Sequence, residues 1–180
     1  MTYEIVVAKK NSNRFKDKNI TNLNGYPLFW HSVKPLIDSD KVDKVFVATD
    51  SDYIKNFSEQ RGVEVIWRGP NISGDNDSLF KVLKFVHQSL SEKYEVCVSI
   101  MANCPGHTVE DINKSIKVLI DNNFNEVRSF NNEHIENGII TFNTKVFDEY
   151  DKISSYMGSI TTYGHEIHYK KELDEIKRKN

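Results

Sequence analysis

Five cations crowd into a short stretch near the start of the chain. Residues 8–19 read AKKNSNRFKDKN, with Lys9, Lys10, Arg14, Lys16 and Lys18 against a single acid, Asp17. Small polar residues, Asn11, Ser12, Asn13 and Asn19, sit among them. A strand that ends in such a loop can cradle an anion with backbone N–H groups and several cations. A solvated, charged loop explains the same composition. The loop lacks GxxxxGK[ST], so it is not a Walker A phosphate loop. Toward the other end lies HEIH, residues 165–168. On a strand, Glu166 and His168 would share a face. A carboxylate beside an imidazole can bind a divalent cation, and a surface strand edge is the plainer reading. HEIH is not HExxH, so a zinc protease is not implied.

Other chemical side chains fall at the ends of apolar runs. Asp50 follows VFVAT and can meet a metal or a ribose hydroxyl. It can also cap a helix starting near Ser51, which is the preferred role for an Asp there. Arg68 follows VEVIW, and Asp75 or Asp77 reads as a cap for the next helix. Asn103, Cys104 and His107 lie in MANCPGHTVED. Cys104 has no evident base nearby and reads as a small buried residue.

The elements that must position these residues alternate along the chain. Strand patterns cover residues 3–8, 44–49, 63–67, 94–100 and, more weakly, 125–130. Helical patterns cover residues 27–38, 51–61, 75–90 and 108–121. Pro27 suits a first helical turn, and Gly62 suits a helix terminator. TVED, residues 108–111, is close to a capping box, with Asp where Glu or Gln is usual. A polar connection, NNEHIE, leads to a strand pattern GIITFN and a short helix around TKVFDEY. A further strand near SITTYGHEIHY and a charged terminal helix complete the chain. Tyr3, Phe46, Phe80, Phe85 and Phe142 read as core.

Strand–helix alternation predicts an α/β fold: a Rossmann-like, mostly parallel sheet with helices on both faces and right-handed crossovers. Ligands of such sheets bind beyond the carboxyl ends of the strands. The loops after residues 8, 49, 67 and 100 are therefore the ones to watch. The chain has 180 residues, 38% hydrophobic and 28% charged, with net charge −2. That predicts a single globular domain over residues 1–180. It gives no basic surplus for nucleic acid and no apolar run for a bilayer. Two cysteines without CxxC spacing, and no signal-peptide pattern at the start, predict a reduced, cytoplasmic protein.

Taken in order, these segments resemble the acylneuraminate cytidylyltransferases, the type that makes CMP-sialic acid and CMP-Kdo. That family opens on a loop like ARxxSKxxPxKN and then xxLNGxPL, where this chain has AKKNSNRFKDKN and ITNLNGYPL. Its STD strand end matches VFVATD, and its GxEV with a following Arg matches RGVEVIWRGP. Its DTASS-like helix start matches SGDNDSLFKVLKF, its QPTSPLRTxEDI matches MANCPGHTVEDI, and its NGAIYI matches NGIITF. The resemblance spans nearly the whole chain.

The resemblance implies a nucleotide-diphospho-sugar transferase fold and transfer of CMP from CTP to a sugar acid, with Mg²⁺ neutralising charge and pyrophosphate leaving. It implies that Lys9 and Lys18 serve catalysis on the phosphates. It places Ala8, Lys9, Lys10, Asn11, Ser12, Arg14, Lys18 and Asn19 around the nucleotide, with Arg68 and Ser78 near cytosine and ribose. Met101, Asn103 and His107 fall at the acceptor, and Glu166 and His168 at the metal.

The chain also departs from the family. Lys9 replaces an Arg, which loses bidentate phosphate binding but keeps the charge. Asn13 replaces a Lys, with Arg14 adjacent, and Lys16 replaces the Pro. Met101 replaces a Gln and His107 an Arg. HEIHYKKEL stands for IDIDTEEDL, so one carboxylate and one imidazole replace two aspartates, a change that favours Mn²⁺ relative to Mg²⁺. The family's long dimerisation arm, which implies a homodimer, is replaced by the six residues NNEHIE. These departures leave two alternatives beside the active enzyme: a nucleotide-binding relative with weak or no catalysis, and a pyrophosphorylase using another nucleotide.

Overall fold

The computed structural model describes residues 1–12, 14–69, 78–149 and 156–179. One seven-stranded sheet organises them, in the order β5-β4-β1-β6-β8-β7-β9. Its strands are β1 (Thr2–Ala8), β4 (Lys44–Thr49), β5 (Glu64–Trp67), β6 (Val96–Met101), β7 (Glu126–Phe130), β8 (Glu136–Asn143) and β9 (Met157–Thr161). β1 pairs in parallel with β4 and β6, and β4 with β5. β8 runs antiparallel between β6 and β7, and β9 returns parallel to β7. The sheet is thus mostly parallel, as the strand–helix alternation predicts.

Helices cover both faces because the central strands are apolar on both sides. On one face, α1 (Trp30–Ile37), α2 (Asp52–Glu59) and α4 (Val109–Asp121) bury Val33, Ile54 and Ile116 against Val6, Val47 and Val98. On the other, α3 (Leu79–Ser89) and α5 (Lys145–Glu149) bury Phe80, Leu83 and Phe147 against Ile5, Phe46 and Phe142. A third cluster joins Leu23 and Leu28 to Ile167 and Leu173, which docks α6 (Lys170–Lys179) beside the first loop.

Local signals explain several boundaries. Thr108 and Asp111 do form a capping box, each side chain bonding the other residue's backbone N–H. The shorter Asp reaches as well as a Glu would. Ser51, not Asp50, caps α2 by accepting from the Ile54 N–H. Ser78 caps α3 by accepting from the Lys81 N–H, so α3 starts later than residue 75. The two candidate caps Asp75 and Asp77 lie outside the described residues. Pro27 is not a helix start. It belongs to a short hairpin of β2 (Asn22–Leu23) and β3 (Tyr26–Pro27). The hairpin turns at Asn24 and Gly25, both at positive φ (49° and 92°), the backbone a two-residue Asn-Gly turn requires. Phe85 is 40% exposed, because α3 turns that position away from the sheet.

Two connections shape the carboxyl end of the sheet. Residues 131–135 close a tight hairpin between β7 and β8, with Asn131 N–H donating to the Ile135 carbonyl. The Asn131 Oδ1 accepts from the backbone N–H of both Glu133 and Ile135. The strand pattern near residues 159–169 divides: β9 ends at Thr161, and 162–168 has no regular structure. This segment is still held extended, because Ile167 N–H donates to the Asn103 carbonyl and His165 N–H to that of Pro105.

Candidate active site

The ends of β1 and β6, the first loop and the start of α3 enclose a cavity of about 360 Å³. Lys9, Arg14, Lys18 and Arg68 line it, with Asn11, Ser12 and Asn19. No Asp or Glu is among the described residues that line it. Its walls are apolar: Val7 and Ile100 from the sheet, Leu79 and Val82 from α3. An apolar slot with converging cations suits a flat ring that carries phosphates.

Local folding sets each cation in place. Asp17 takes a left-handed backbone (φ 57°), and Lys18–Ile20 winds into one 3-10 turn. That turn swings Lys18 inward, where its Nζ donates to the Ile167 carbonyl at 3.1 Å. Burial lowers the Lys18 ammonium from its ordinary range, and the charge of Glu166 works against that. Asn19 Nδ2 donates to the Lys9 carbonyl at 2.9 Å, pinning both ends of the loop. Its Oδ1 is buried and accepts no hydrogen bond from the described residues. Asp50 Oδ1 accepts from the Lys10 N–H at 2.6 Å. Asp50 therefore anchors the loop, a role its sequence context did not reveal. Arg68 N–H donates to the Thr49 carbonyl, and its side chain is 1% exposed.

The sequence-predicted residues divide into two groups. Lys9, Asn11, Ser12, Arg14, Lys18, Asn19, Arg68, Met101, Asn103 and His168 come together around this cavity. Ala8, Lys10, Ser78, His107 and Glu166 do not line it. Ala8 is buried in the sheet, and its carbonyl accepts from the Thr49 hydroxyl at 2.7 Å. His107 is the clearest displacement. Its buried ring donates from Nε2 to the Asn137 carbonyl at 2.7 Å, and burial lowers its pKa. A Cβ on Gly164 would lie 2.2 Å from that ring. His107 thus clamps α4, β8 and the 162–168 segment together. Cys104 is also structural: it is buried, and burial pushes its thiol up, away from the nucleophilic thiolate.

Glu166 and His168 do meet, with His168 Nε2 3.3 Å from Glu166 Oε2. Arg14 Nη1 lies 3.3 Å from His168 Nδ1. A guanidinium only donates, so Nδ1 accepts and the proton sits on Nε2, facing Glu166. In that tautomer the one lone pair of His168 is on Nδ1 and faces Arg14. Among the described residues no group of three His, Cys, Asp or Glu gathers to hold a metal. Glu166 is the hard oxygen donor of the pair and fits Mg²⁺, which often takes one or two carboxylates and completes its shell with water and phosphate oxygens.

A second cavity of about 330 Å³ adjoins the first and shares Leu79 and Met101 with it. Arg128, Glu136 and Glu166 line it, over an apolar floor of Phe80, Ile140 and Phe142. Sequence reading missed Arg128 and Glu136. The available signal was the alternation Glu126-Val127-Arg128, which puts two charges on one strand face.

The family described as Cytidylyltransferase matches residues 4–171. This chain belongs to the cytidylyltransferase family. An N-acylneuraminate cytidylyltransferase of Streptococcus agalactiae serotype III is 27% identical over 139 residues, 76% of this chain and 33% of that protein. N-acylneuraminate cytidylyltransferase B of Danio rerio is 30% identical over 131 residues, 72% of this chain and 30% of that protein. A 3-deoxy-manno-octulosonate cytidylyltransferase of Bdellovibrio bacteriovorus is 30% identical over 117 residues, 65% of this chain and 45% of that protein. The chain therefore aligns with less than half the length of these relatives. The fold is shared with CMP:2-keto-3-deoxy-manno-octonic acid synthetase solved in complex with CTP. That structure has a TM-score of 0.81 and 13% identity, covering 98% of this chain and 97% of that one. No helix among the described residues is long and apolar enough to cross a membrane.

Proposed function

We propose that this chain transfers CMP from CTP to a hydroxyl of a small sugar acceptor. The observation that carries the reading is the basic cavity at the carboxyl ends of the strands, where Lys9, Arg14, Lys18 and Arg68 converge with no carboxylate among the described lining residues. Family membership supports the choice of CTP, and the names of the relatives supply a sugar acid, sialic-acid-like or Kdo-like, as the first acceptor class to try. In the reaction, the hydroxyl oxygen bonds to the α-phosphorus, the bond to the bridging oxygen breaks, and pyrophosphate leaves with that electron pair. The hydroxyl proton passes to solvent or a nearby carboxylate.

Positioning and charge stabilisation do most of the work in such a transfer. Lys9 and Lys18 supply charge along the triphosphate, and Arg14 adds a third cation. Asn19 and the backbone of residues 8–12 frame the nucleotide. Leu79 and Val82 form an apolar wall for the base. Arg68 adds a buried charge at the same end. A divalent cation, when bound, neutralises phosphate charge, and Glu166 is the residue here that would hold it.

A thermal-shift series with CTP, UTP, GTP and ATP, with and without Mg²⁺ or Mn²⁺, tests the reading. Ligand at about 100 times its Kd stabilises by roughly 2.7 kcal/mol, a readily measured shift. Selective stabilisation by CTP is the expected result. Selectivity for another triphosphate keeps the cavity and changes the donor. No response to any of the four overturns the reading.

A further inference from the structure

The sheet ends in two edge strands, β5 and β9, and their edges differ in charge. β5 is four residues long and flanked by charge: Glu64 pairs with Lys44, and Lys55 Nζ lies over the exposed Trp67 ring. Short length and charged side chains are the usual protection of an edge against a further strand. β9 has no charged guard. Residues 156–164 read YMGSITTYG, with no charged residue and no proline.

Register decides which groups face outward. β9 pairs with β7 from Met157 opposite Glu126 to Thr161 opposite Phe130, and Thr162 N–H donates to the Phe130 carbonyl. By strand alternation, Gly158 and Ile160 aim their backbone groups at β7. Met157, Ser159 and Thr161 aim theirs outward, where they meet no partner among the described residues. The side chains alternate as well. Ile160, Thr162 and Gly164 are buried, whereas Met157, Ser159, Thr161 and Tyr163 are exposed, Tyr163 to 72%. The covered face is firmly seated: Ile160 joins the core cluster, and a Cβ on Gly158 would lie 2.5 Å from the Phe124 ring. On the exposed face, the charges beside β9 satisfy one another, since Arg128 donates to both Glu126 and Glu136.

A second copy, turned about a two-fold axis through Ile160, complements this edge. Antiparallel pairing then sets Ser159 opposite Thr161 and Met157 opposite Tyr163, each pair occurring twice. Ser159 and Thr161 exchange both outward N–H···O=C bonds, as a hydrogen-bonded antiparallel pair does. Their hydroxyls come face to face, and each Met157 thioether lies against a Tyr163 ring, both favourable cross-strand pairs. Any extended peptide can use the backbone groups, but a copy of this strand also supplies the side-chain pairs by symmetry.

We propose that the chain associates with a second copy of itself through β9, joining the two sheets across an antiparallel β9–β9 seam. The inference goes beyond the transfer reaction and does not rest on it. One strand pair buries less than the roughly 800 Å² per partner of a standard interface, so the dimer is a concentration-dependent one.

Sedimentation equilibrium of the full chain across micromolar concentrations tests the proposal. The expected result is a reversible monomer–dimer equilibrium. Thr161→Lys places a charge on each side of the seam, and Ser159→Pro removes an outward N–H without touching a bond to β7. Each should raise the dimer Kd at least about tenfold, with circular dichroism unchanged. Cross-linking reads the register. Opposed residues of a hydrogen-bonded pair lie about 5.5 Å apart between Cα atoms, within reach of a disulfide. A mixture of the Ser159→Cys and Thr161→Cys proteins should therefore oxidise to a covalent dimer faster than either variant alone. A monomer at every concentration overturns the proposal. So does a dimer that folded Thr161→Lys and Ser159→Pro leave unweakened, or a mixture that cross-links no faster than the single variants.

Discussion

Two cavities share a wall at the carboxyl end of one sheet, and their linings have opposite character. The first is bordered by Lys9, Arg14, Lys18 and Arg68, with no acid among its described lining residues. The second places Glu136 and Glu166 around one Arg128 that is already paired. The difference has a topological origin. The basic cavity is built where parallel strands β1 and β6 end and hand over to loops, so its charges sit on loop residues close in sequence. The acidic cavity is built where antiparallel β8 enters the sheet beside β7, so its charges come from a hairpin and from the distant 162–168 segment.

The largest expected effect breaks the acidic side. Arg128→Met leaves the buried Glu126 without its cation and should destabilise the fold by about 3 kcal/mol, the low end of the cost of stranding a buried charge. Chemical denaturation reads this directly. A loss under about 1 kcal/mol would mean that the trio behaves as a surface network.

The next effect tests the basic side. Lys18→Ala should weaken CTP by roughly ten- to hundredfold, since a charge-assisted contact is worth about 1.5–3 kcal/mol. Calorimetry gives the affinity, and circular dichroism checks that the fold persists. Unchanged affinity would remove Lys18 from the triphosphate. Along the seam between the cavities, Glu166→Ala should abolish divalent-dependent turnover, and full activity with ordinary metal dependence would remove Glu166 from the metal.

A smaller effect sharpens the contrast between paired and unpaired acids. Glu4 lies in the middle of β1, with its neighbours Val45 and Val98 on either side. Both its carboxyl oxygens are buried without a hydrogen-bond partner among the described residues. Burial raises its pKa well above the ordinary carboxylate range, whereas Arg128 partly offsets the same push on Glu126. The folded chain therefore holds the Glu4 proton more tightly than the unfolded chain does. Its contribution is fully present below the ordinary carboxylate pKa and is lost as pH rises through the raised value. Glu4→Met should stabilise by about 1–3 kcal/mol at neutral pH, the cost of an unpartnered buried polar group, and by less in acid. Denaturation across pH would show a gap that widens upward, and a constant gap would contradict the assignment. The smallest expected effect is at the edge of the second cavity, where Ser78 starts α3. Ser78→Ala removes the α3 cap and should lower stability by about 1 kcal/mol, measurable as a lower denaturation midpoint.

Much of the basic site was legible because it is local. Lys9, Asn11, Ser12, Arg14, Lys18 and Asn19 belong to one loop after one apolar strand, so adjacency in sequence already means adjacency in space. Arg68 and Asn103 were legible for a related reason: each follows a strand whose end must reach the same edge of a parallel sheet. The 162–168 segment shows where that logic stops. Its alternation put Glu166 and His168 on one side, and they do meet, but no sheet pairing produces the contact. Asn103 and Pro105 carbonyls hold the backbone straight instead.

By itself, then, the sequence determined the alternation of strands and helices, the basic loop and the capping box at Thr108, all of which depend on residues within a turn or two of one another. Only the tertiary structure decided which charges share a space. It turned His107 into a buried clamp on Asn137, gave Asp50 to the Lys10 backbone, and brought Arg128, Glu136 and Glu166 to one cavity. Those contacts join parts of the chain that are far apart in sequence. Their geometry follows from strand order and from the packing of helices across the sheet, and no local pattern encodes either one.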